Sequence, residues 1–343
     1  MDPCMNPSLL TTHGQFLSYN TGPFPKSTLI PRFSLCATLL HHDIRPPVPY
    51  GWKFNSDSDE GKQHGEDGAF EGDVPWERKV NERLGWRGRT TGMYASSDKR
   101  WENGHRARLV TLTNALEGNA SVLRVPTNKK GVESGEDAEA IPVGEPEIVP
   151  LAQVNPAWMD VVFAGRPIAC DEDDGTCAKM AHKWSFQEMQ KREEEGRYKF
   201  IIDVRLFTSP CVCFLLDSRD LGYIGGWEWV VGSVQTTCDK QRASVQGNDI
   251  PRMVRVCSTF PLLSVDSLGA RYTSRIAPWV HYIPIQVSYT DLYDAVAFFR
   301  VHDVLARRIA RAGRAWSQQF WRREDMTAYL YRCVWVAKRN TWC

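Results

Sequence analysis

The 343-residue chain has no apolar run near the roughly 18 to 20 residues that a membrane-spanning helix needs, so no helical span is read from it. Charge of one sign is missing too: 42 Lys and Arg stand against 41 Asp and Glu, a formal +1. No global field therefore draws the chain to nucleic acid or an anionic membrane, and any anion site must be local. The first thirty residues lack the basic start, continuous apolar core and small-residue cleavage site of a secretory signal, so the chain as written is soluble and carries no address. There is no Gly-rich P-loop, no GxSxG elbow, no HExxH and no internal repeat. Ten cysteines are present without the paired CxxC spacing of a zinc site.

What is present is an ordinary globular composition, 42% apolar and 24% charged, enough for one large or two medium cores. Cys170 and Cys177 bracket the acidic loop DEDDGT, either as a disulfide formed in an oxidising compartment or as two free thiols. Asn119-Ala-Ser is the only acceptable glycosylation sequon, a triplet that also occurs by chance. Two stretches, Asn55 to Asp73 and Asn128 to Glu147, are poor in apolar residues and read as solvated loops or linkers.

Between them, residues 76–119 predict a helix, a turn around Trp86-Arg87-Gly88, and a second helix near His105 to Asn114. WMDVVFAG (158–165) and YKFIIDV (198–204) have the length and apolar continuity of buried parallel strands, with a charged, helix-prone segment from Ser185 to Gly196 between them. That alternation is the mark of an α/β layer fold. WVHYIPIQV (279–287) predicts a further strand. Thr290 and Asp291 then open a helix burying Leu292, Val296 and Phe299. A second helix starts near Asp303, with Leu305, Ile309, Trp316 and Phe320 on one face, and a third carries Met326, Leu330, Cys333 and Ala337.

Several residues have chemistry suited to a ligand. Trp86-Arg87-Gly88-Arg89-Thr90-Thr91 sets guanidinium groups beside a glycine and two hydroxyls, a combination that fits phosphate or sugar oxygens but equally an ordinary turn. His105-Arg106-Ala107-Arg108 at a helix start offers cations to an anion or to water. Asp203 closes an apolar strand, where ligands gather in open sheets and a carboxylate can hold a sugar or ribose hydroxyl. Asp171-Glu172-Asp173 imitates a metal-binding acidic triplet, yet its Cys and Gly neighbours favour a flexible acidic loop. From Phe299 to Arg339 ten basic residues face three acidic ones. Arg307, Arg308, Arg311 and Arg314 lie off the apolar stripe, and no nucleic-acid motif accompanies them.

Taken in order, these pieces resemble the capsule-associated-protein family of glycosyltransferases, which includes fungal xylosyltransferases and animal protein O-glucosyltransferases. The resemblance runs through Cys4, His13-Gly14, Ser27 to Ser34, Asp43-Ile44, Pro49 to Trp52 and Pro75-Trp76-Glu77. It continues through Trp86-Arg87-Gly88 with Thr90-Thr91-Gly92, His105 to Val110, Asp160 to Cys170, Tyr198 to Val204 and RIAPWVHYIP (275–284). It ends with Asp291-Leu292, Leu305-Ala306, Gly313, Trp316 and Glu324-Asp325-Met326. It implies two Rossmann-like α/β lobes of the GT-B type with a helical carboxyl terminus. Residues 1–150 would bring acceptor-side elements, and 151–343 the donor-side lobe and terminal helices.

The implied reaction moves xylose or glucose from a nucleotide diphosphate to a glycan or protein hydroxyl, with inversion, no obligatory metal and no other cofactor. A general base and cationic or backbone donors are then required. Trp86, Arg87, Gly88, Thr90, Thr91, His105, Arg106 and Arg108 would border the cleft, with Asp203, Arg275, Trp279 and His281 lining or bracing the donor lobe. The acidic residue that the animal enzymes of the family place near 105–108 has no counterpart here, so the base is unassigned. The implied compartment is the secretory-pathway lumen.

Two departures accompany the resemblance. After YKFIIDV the family's Asp-Gly-Asn turn is replaced by Arg205-Leu206-Phe207; Gly247-Asn248 looks like its delayed Gly-Asn, and after a second departure the match resumes at Tyr272. We read 205–246 as a translated intron and 249–269 as partly out of frame, which disrupts the second lobe over about 205–271. The expected upstream acidic element and signal or anchor also precede nothing in this chain, which suggests a truncated start. A second reading follows, a catalytically inactive member that binds glycan or protein.

Overall fold

The structure, a computed structural model, describes residues 7–12, 17, 32–33, 74–79, 81–126, 143–204, 214–215, 262–265, 276–320 and 323–338. The anomalous stretch 205–271 lies outside the described residues apart from the short strands Phe214–Leu215 and Leu262–Val265, and Arg275 lies outside them altogether.

The chain is a mixed α/β fold built on a six-stranded sheet. Its elements in chain order are β1 (Asn81–Gly88), α1 (His105–Asn114), the antiparallel hairpin β2 (Asn119–Arg124) and β3 (Glu145–Pro150), α2 (Leu151–Trp158), β4 (Met159–Ala164), α3 (Thr176–Lys183) and β5 (Phe186–Gln187). There follow α4 (Arg192–Gly196), β6 (Tyr198–Val204), β7 (Leu262–Val265), β8 (Ile283–Pro284), α5 (Leu292–Val301), α6 (Asp303–Phe320) and α7 (Arg323–Lys338). The sheet order is β8-β7-β6-β1-β4-β5 and every pairing is parallel. Read from the other edge, this is the doubly wound order 3-2-1-4-5-6, in which the direction of winding reverses between β1 and β6. The sheet draws strands from both sides of residue 150.

The expected strands at 158–165 and 198–204 and the helix at 105–114 are present. The expected helix and turn over 76–88 are not: only Trp76–Arg78 forms a single 3-10 turn, and Trp86-Arg87-Gly88 ends the central strand. The charged residues there suggested a helix, but Leu84 and Trp86 alternate onto the core face while Gly85 and Arg87 take the other, a period of two. Gly85 is needed because a side chain would meet the Tyr198 ring, with Cβ only 2.7 Å from Cδ1. The helix expected over Ser185 to Gly196 shortens to α4, since Phe186 joins the sheet edge and stacks on Phe163. The end of the predicted linker is β3, paired along β2.

The strand expected over 279–287 shrinks to β8. Trp279 turns to φ 64°, its N–H bonded to the Tyr282 carbonyl, and Pro284 has no N–H to extend the ladder. Helix α5 starts one residue after Asp291, whose carboxylate accepts the Gln286 N–H instead of capping the helix. Leu292, Val296 and Phe299 are buried as expected. On α6, Ile309 is buried, while Phe320 is 46% exposed; on α7, Cys333 is buried. No helix among the described residues is long and apolar enough to cross a membrane.

One aromatic core lies on the α1 face of the sheet. Trp86 meets Phe163 edge-on at 5.7 Å, and Phe163 packs on Trp184 at 5.0 Å. Buried Asn155 of α2 donates to the Leu112 and Ala115 carbonyls, satisfying the end of α1, and accepts from the Tyr293 hydroxyl of α5. Gly313 of α6 lies against the His281 carbonyl, where an added Cβ would sit 2.5 Å from the oxygen. Helix propensity alone favours Gly313→Ala by about 1 kcal/mol. The close approach predicts the opposite sign, a loss of about 1 to 3 kcal/mol in denaturant unfolding, and a stabilised variant would show that the two segments do not touch.

Candidate functional site

In an open parallel sheet the crevice for a ligand lies beyond the carboxyl ends of the strands where winding reverses. Here that point is Gly88 at the end of β1 and Val204 at the end of β6. Arg106, in the first turn of α1, bridges the two. Its Nε donates to the Val204 carbonyl at 3.2 Å, and its Nη1 donates to the Arg89 carbonyl at 2.9 Å, the Thr91 carbonyl at 2.9 Å and the Thr91 hydroxyl at 2.6 Å. A guanidinium suits this task because its donors are planar and fixed in direction.

Thr90 holds the other side of the same loop. Its hydroxyl donates to the Ile168 carbonyl and accepts the Ile168 N–H, both at 2.8 Å. Ala95 and Cys170 continue the zipper: the Ala95 N–H bonds the Ala169 carbonyl, and the Asp171 N–H bonds the Ala95 carbonyl. Cys170 and Cys177 form a disulfide, which resolves the two alternatives left by their spacing. Within the acidic loop, Asp171 accepts the Asp173 N–H and Asp174 accepts those of Thr176 and Ser97, so these carboxylates shape the turn. A half-open pocket of about 30 Å³ is lined by Thr91, Met93, His105, Phe163 and Trp184.

Arg108 ties the start of α1 to the segment that leaves β8. It donates to the Asn103 carbonyl at 2.9 Å and the Val287 carbonyl at 2.7 Å, and stands 5.3 Å over the Tyr289 ring. Its Nη2 also lies 3.0 Å from His105 Nδ1. Guanidinium can only donate, so that nitrogen accepts and the imidazole proton sits on Nε2. Tyr289, buried with φ 63°, donates its hydroxyl to the His105 carbonyl, and burial raises its pKa. Nothing in the sequence marked Tyr289.

Thr90, Thr91, His105 and Arg106 thus line one pocket, Arg108 contacts His105, and Asp203 stands one residue from the end of β6. Trp86 is 3% exposed and belongs to the core, beneath Gly88. Arg87, 4% exposed, reaches back along the sheet to the Asp160 carboxylate at 2.6 Å, the Asp160 carbonyl at 2.8 Å and Gln187 at 2.9 Å. Trp279 and His281 sit in the turn entering β8, at the amino-terminal edge of the parallel sheet and so away from the crevice. Trp279 is exposed there, and His281 Nδ1 accepts the Ala277 N–H while burial lowers its pKa.

The polar face of the sheet centres on Asp160, which pairs with Arg87 and Arg83 and accepts a short hydrogen bond from the Tyr198 hydroxyl. Burial pushes this carboxyl up, but Tyr198, Arg87 and Arg83 outweigh it and hold it below its ordinary value. A depressed carboxyl contributes stability above its unfolded pKa of about 3.9, which is lost as pH falls through the folded value. Asp160→Asn, by leaving buried Arg87 without its counter-ion, is expected to cost about 3 kcal/mol at neutral pH. Below about pH 4 the difference from the wild type should narrow in urea unfolding, and a gap that widens on acidification would contradict this assignment.

Comparison with known proteins places the carboxyl-terminal strands and helices in context. Residues 252–334 match the sequence model of glycosyl transferase family 90. The matched segment begins inside the departing stretch and supplies β7, β8, α5, α6 and most of α7. A 65-residue stretch is 35% identical to O-glucosyltransferase rumi of Drosophila pseudoobscura pseudoobscura, covering 18% of this chain and 16% of that protein. A 55-residue stretch is 33% identical to protein O-glucosyltransferase 1 of Rattus norvegicus, covering 16% of this chain and 14% of that protein. These alignments span about a sixth of the relatives' length; through the family-model match the carboxyl-terminal part of the chain is similar to the glycosyltransferases of family 90.

Proposed function

We propose that this chain transfers a sugar, of the glucose or xylose type, from a nucleoside-diphosphate donor to a hydroxyl of a glycan or protein. The observation that carries this reading is that the family 90 match supplies two strands of the same parallel sheet whose reversal point holds Arg106 and the start of α1. Diphosphates favour such a position because a helix amino terminus directs N–H groups and a positive dipole end at them. In this reading Thr90, Thr91, His105, Arg106 and Arg108 frame the diphosphate, and Asp203 takes a hydroxyl of the ribose or sugar. Trp86, Arg87 and Gly88 shape the strand end behind them. Arg275, outside the described residues, would line or brace the donor lobe, and the Arg that clamps the leaving diphosphate is unassigned. A second α/β lobe facing the sheet would complete a GT-B cleft.

The leaving diphosphate would be met by cations and backbone donors, without a divalent ion. The place of work would be the secretory lumen. The Cys170–Cys177 disulfide favours that compartment, because such bonds persist where the medium is oxidising. The second reading, a binding module without turnover, draws on residues 205–246, which lack the family's pattern where the donor site should continue.

Calorimetry with UDP, UDP-glucose and UDP-xylose tests the donor reading. Saturable binding is expected, weakened at least tenfold, about 1.4 kcal/mol, in Arg106→Lys, which keeps the charge but cannot bridge β1 and β6. Absence of binding by the folded chain would overturn the reading. Binding without donor hydrolysis or transfer would select the binding module.

A further inference from the structure

We propose that Asn119 is an acceptor for an N-linked glycan. The inference rests on the lumenal placement proposed above, but its chemistry is independent of sugar transfer by this chain. Asn119-Ala-Ser121 is the one sequon with an allowed central residue, because Pro7 interrupts Asn6-Pro-Ser8. The structure adds what the triplet alone lacks. Gly118, at φ 93°, turns the chain out of α1, and Asn119 opens β2 opposite Pro150, which has no N–H to give. Side chains alternate along the hairpin. Val122 is buried, with Ala120 and Val149 packed on the core, whereas Asn119 and Ser121 are both exposed on the outer face.

Two exposed apolar side chains neighbour the sequon, one in register and one in sequence. Ile148, paired with Ser121, is 68% exposed, and Leu116, in the turn before Gly118, is 62% exposed. A glycan rooted at Asn119 would stand over both and keep this surface from other chains. The Cys170–Cys177 disulfide, on which the lumenal placement above draws, points to the compartment in which such glycans are added. In the transfer, the Asn119 side-chain nitrogen forms a bond to C1 of the terminal sugar of a lipid-linked oligosaccharide diphosphate. The C1–O bond breaks with its electron pair leaving on the diphosphate, and one amide proton is released. The co-reactant and the catalyst are the host's.

The test is expression of the full chain behind a cleavable leader in a eukaryotic secretory host, followed by amidase removal of N-glycans and peptide mass analysis. We expect one glycan, mapped to Asn119, lost in N119Q and S121A and kept in S121T. A chain whose Cys170 and Cys177 resist alkylation, and which has therefore reached the lumen, but whose Asn119 is unmodified would overturn the proposal. A glycan at Asn119 on a chain that binds no UDP would support this inference while sinking the donor reading.

Discussion

One guanidinium carries the geometry of the crevice. β1 and β6 run parallel and end side by side, and the chain leaves them in opposite directions around the sheet. A buried carbonyl without a donor is costly, and the carbonyls at the end of β6 and just past β1 need partners. Arg106 meets this need at both ends, donating to Val204 on one side and to Arg89 and Thr91 on the other. Because Arg106 belongs to the first turn of α1, the same bonds set the helix start against the strand ends.

The rest of the described molecule holds that junction in place. Arg108 and Tyr289 fasten the helix start to the segment beyond β8, and Tyr289 keeps a left-handed backbone that its hydroxyl and the cation above its ring help to maintain. Asn155 closes the far end of α1 and links it to α5 through Tyr293. At the amino-terminal ends of the central strands, Asp303 accepts from Trp76 Nε1 at 2.8 Å and pairs with Lys199 at 2.8 Å, anchoring the start of α6. The family-matched segment is thus joined to elements outside the match, α1, α2 and the start of β6, by polar contacts.

The fold was legible where burial writes a continuous apolar run. β4 and β6 could be read almost to the residue because Val161 to Ala164 in the one and Phe200 to Ile202 in the other form near-continuous apolar runs. β1 could not, because Arg83, Gly85 and Arg87 serve a polar network with Asp160 and Tyr198 that only the folded sheet assembles. The same network explains why Arg87 looked like an anion ligand: a cation beside glycine and threonine reads alike whether it faces a diphosphate or a buried carboxylate. Arg106 and Arg108 were visible as cations at a helix start, but their partners are carbonyls distant in sequence, which no local pattern encodes. Tyr289 was invisible because its φ is imposed by its surroundings.

Hydrogen exchange with and without UDP addresses the crevice itself. The account predicts slowed exchange at residues 89–92, 104–108 and 285–290 when nucleotide is present, with the turn at 277–282 unchanged. Protection confined to that turn and to α6, with the first turn of α1 unaffected, would contradict it.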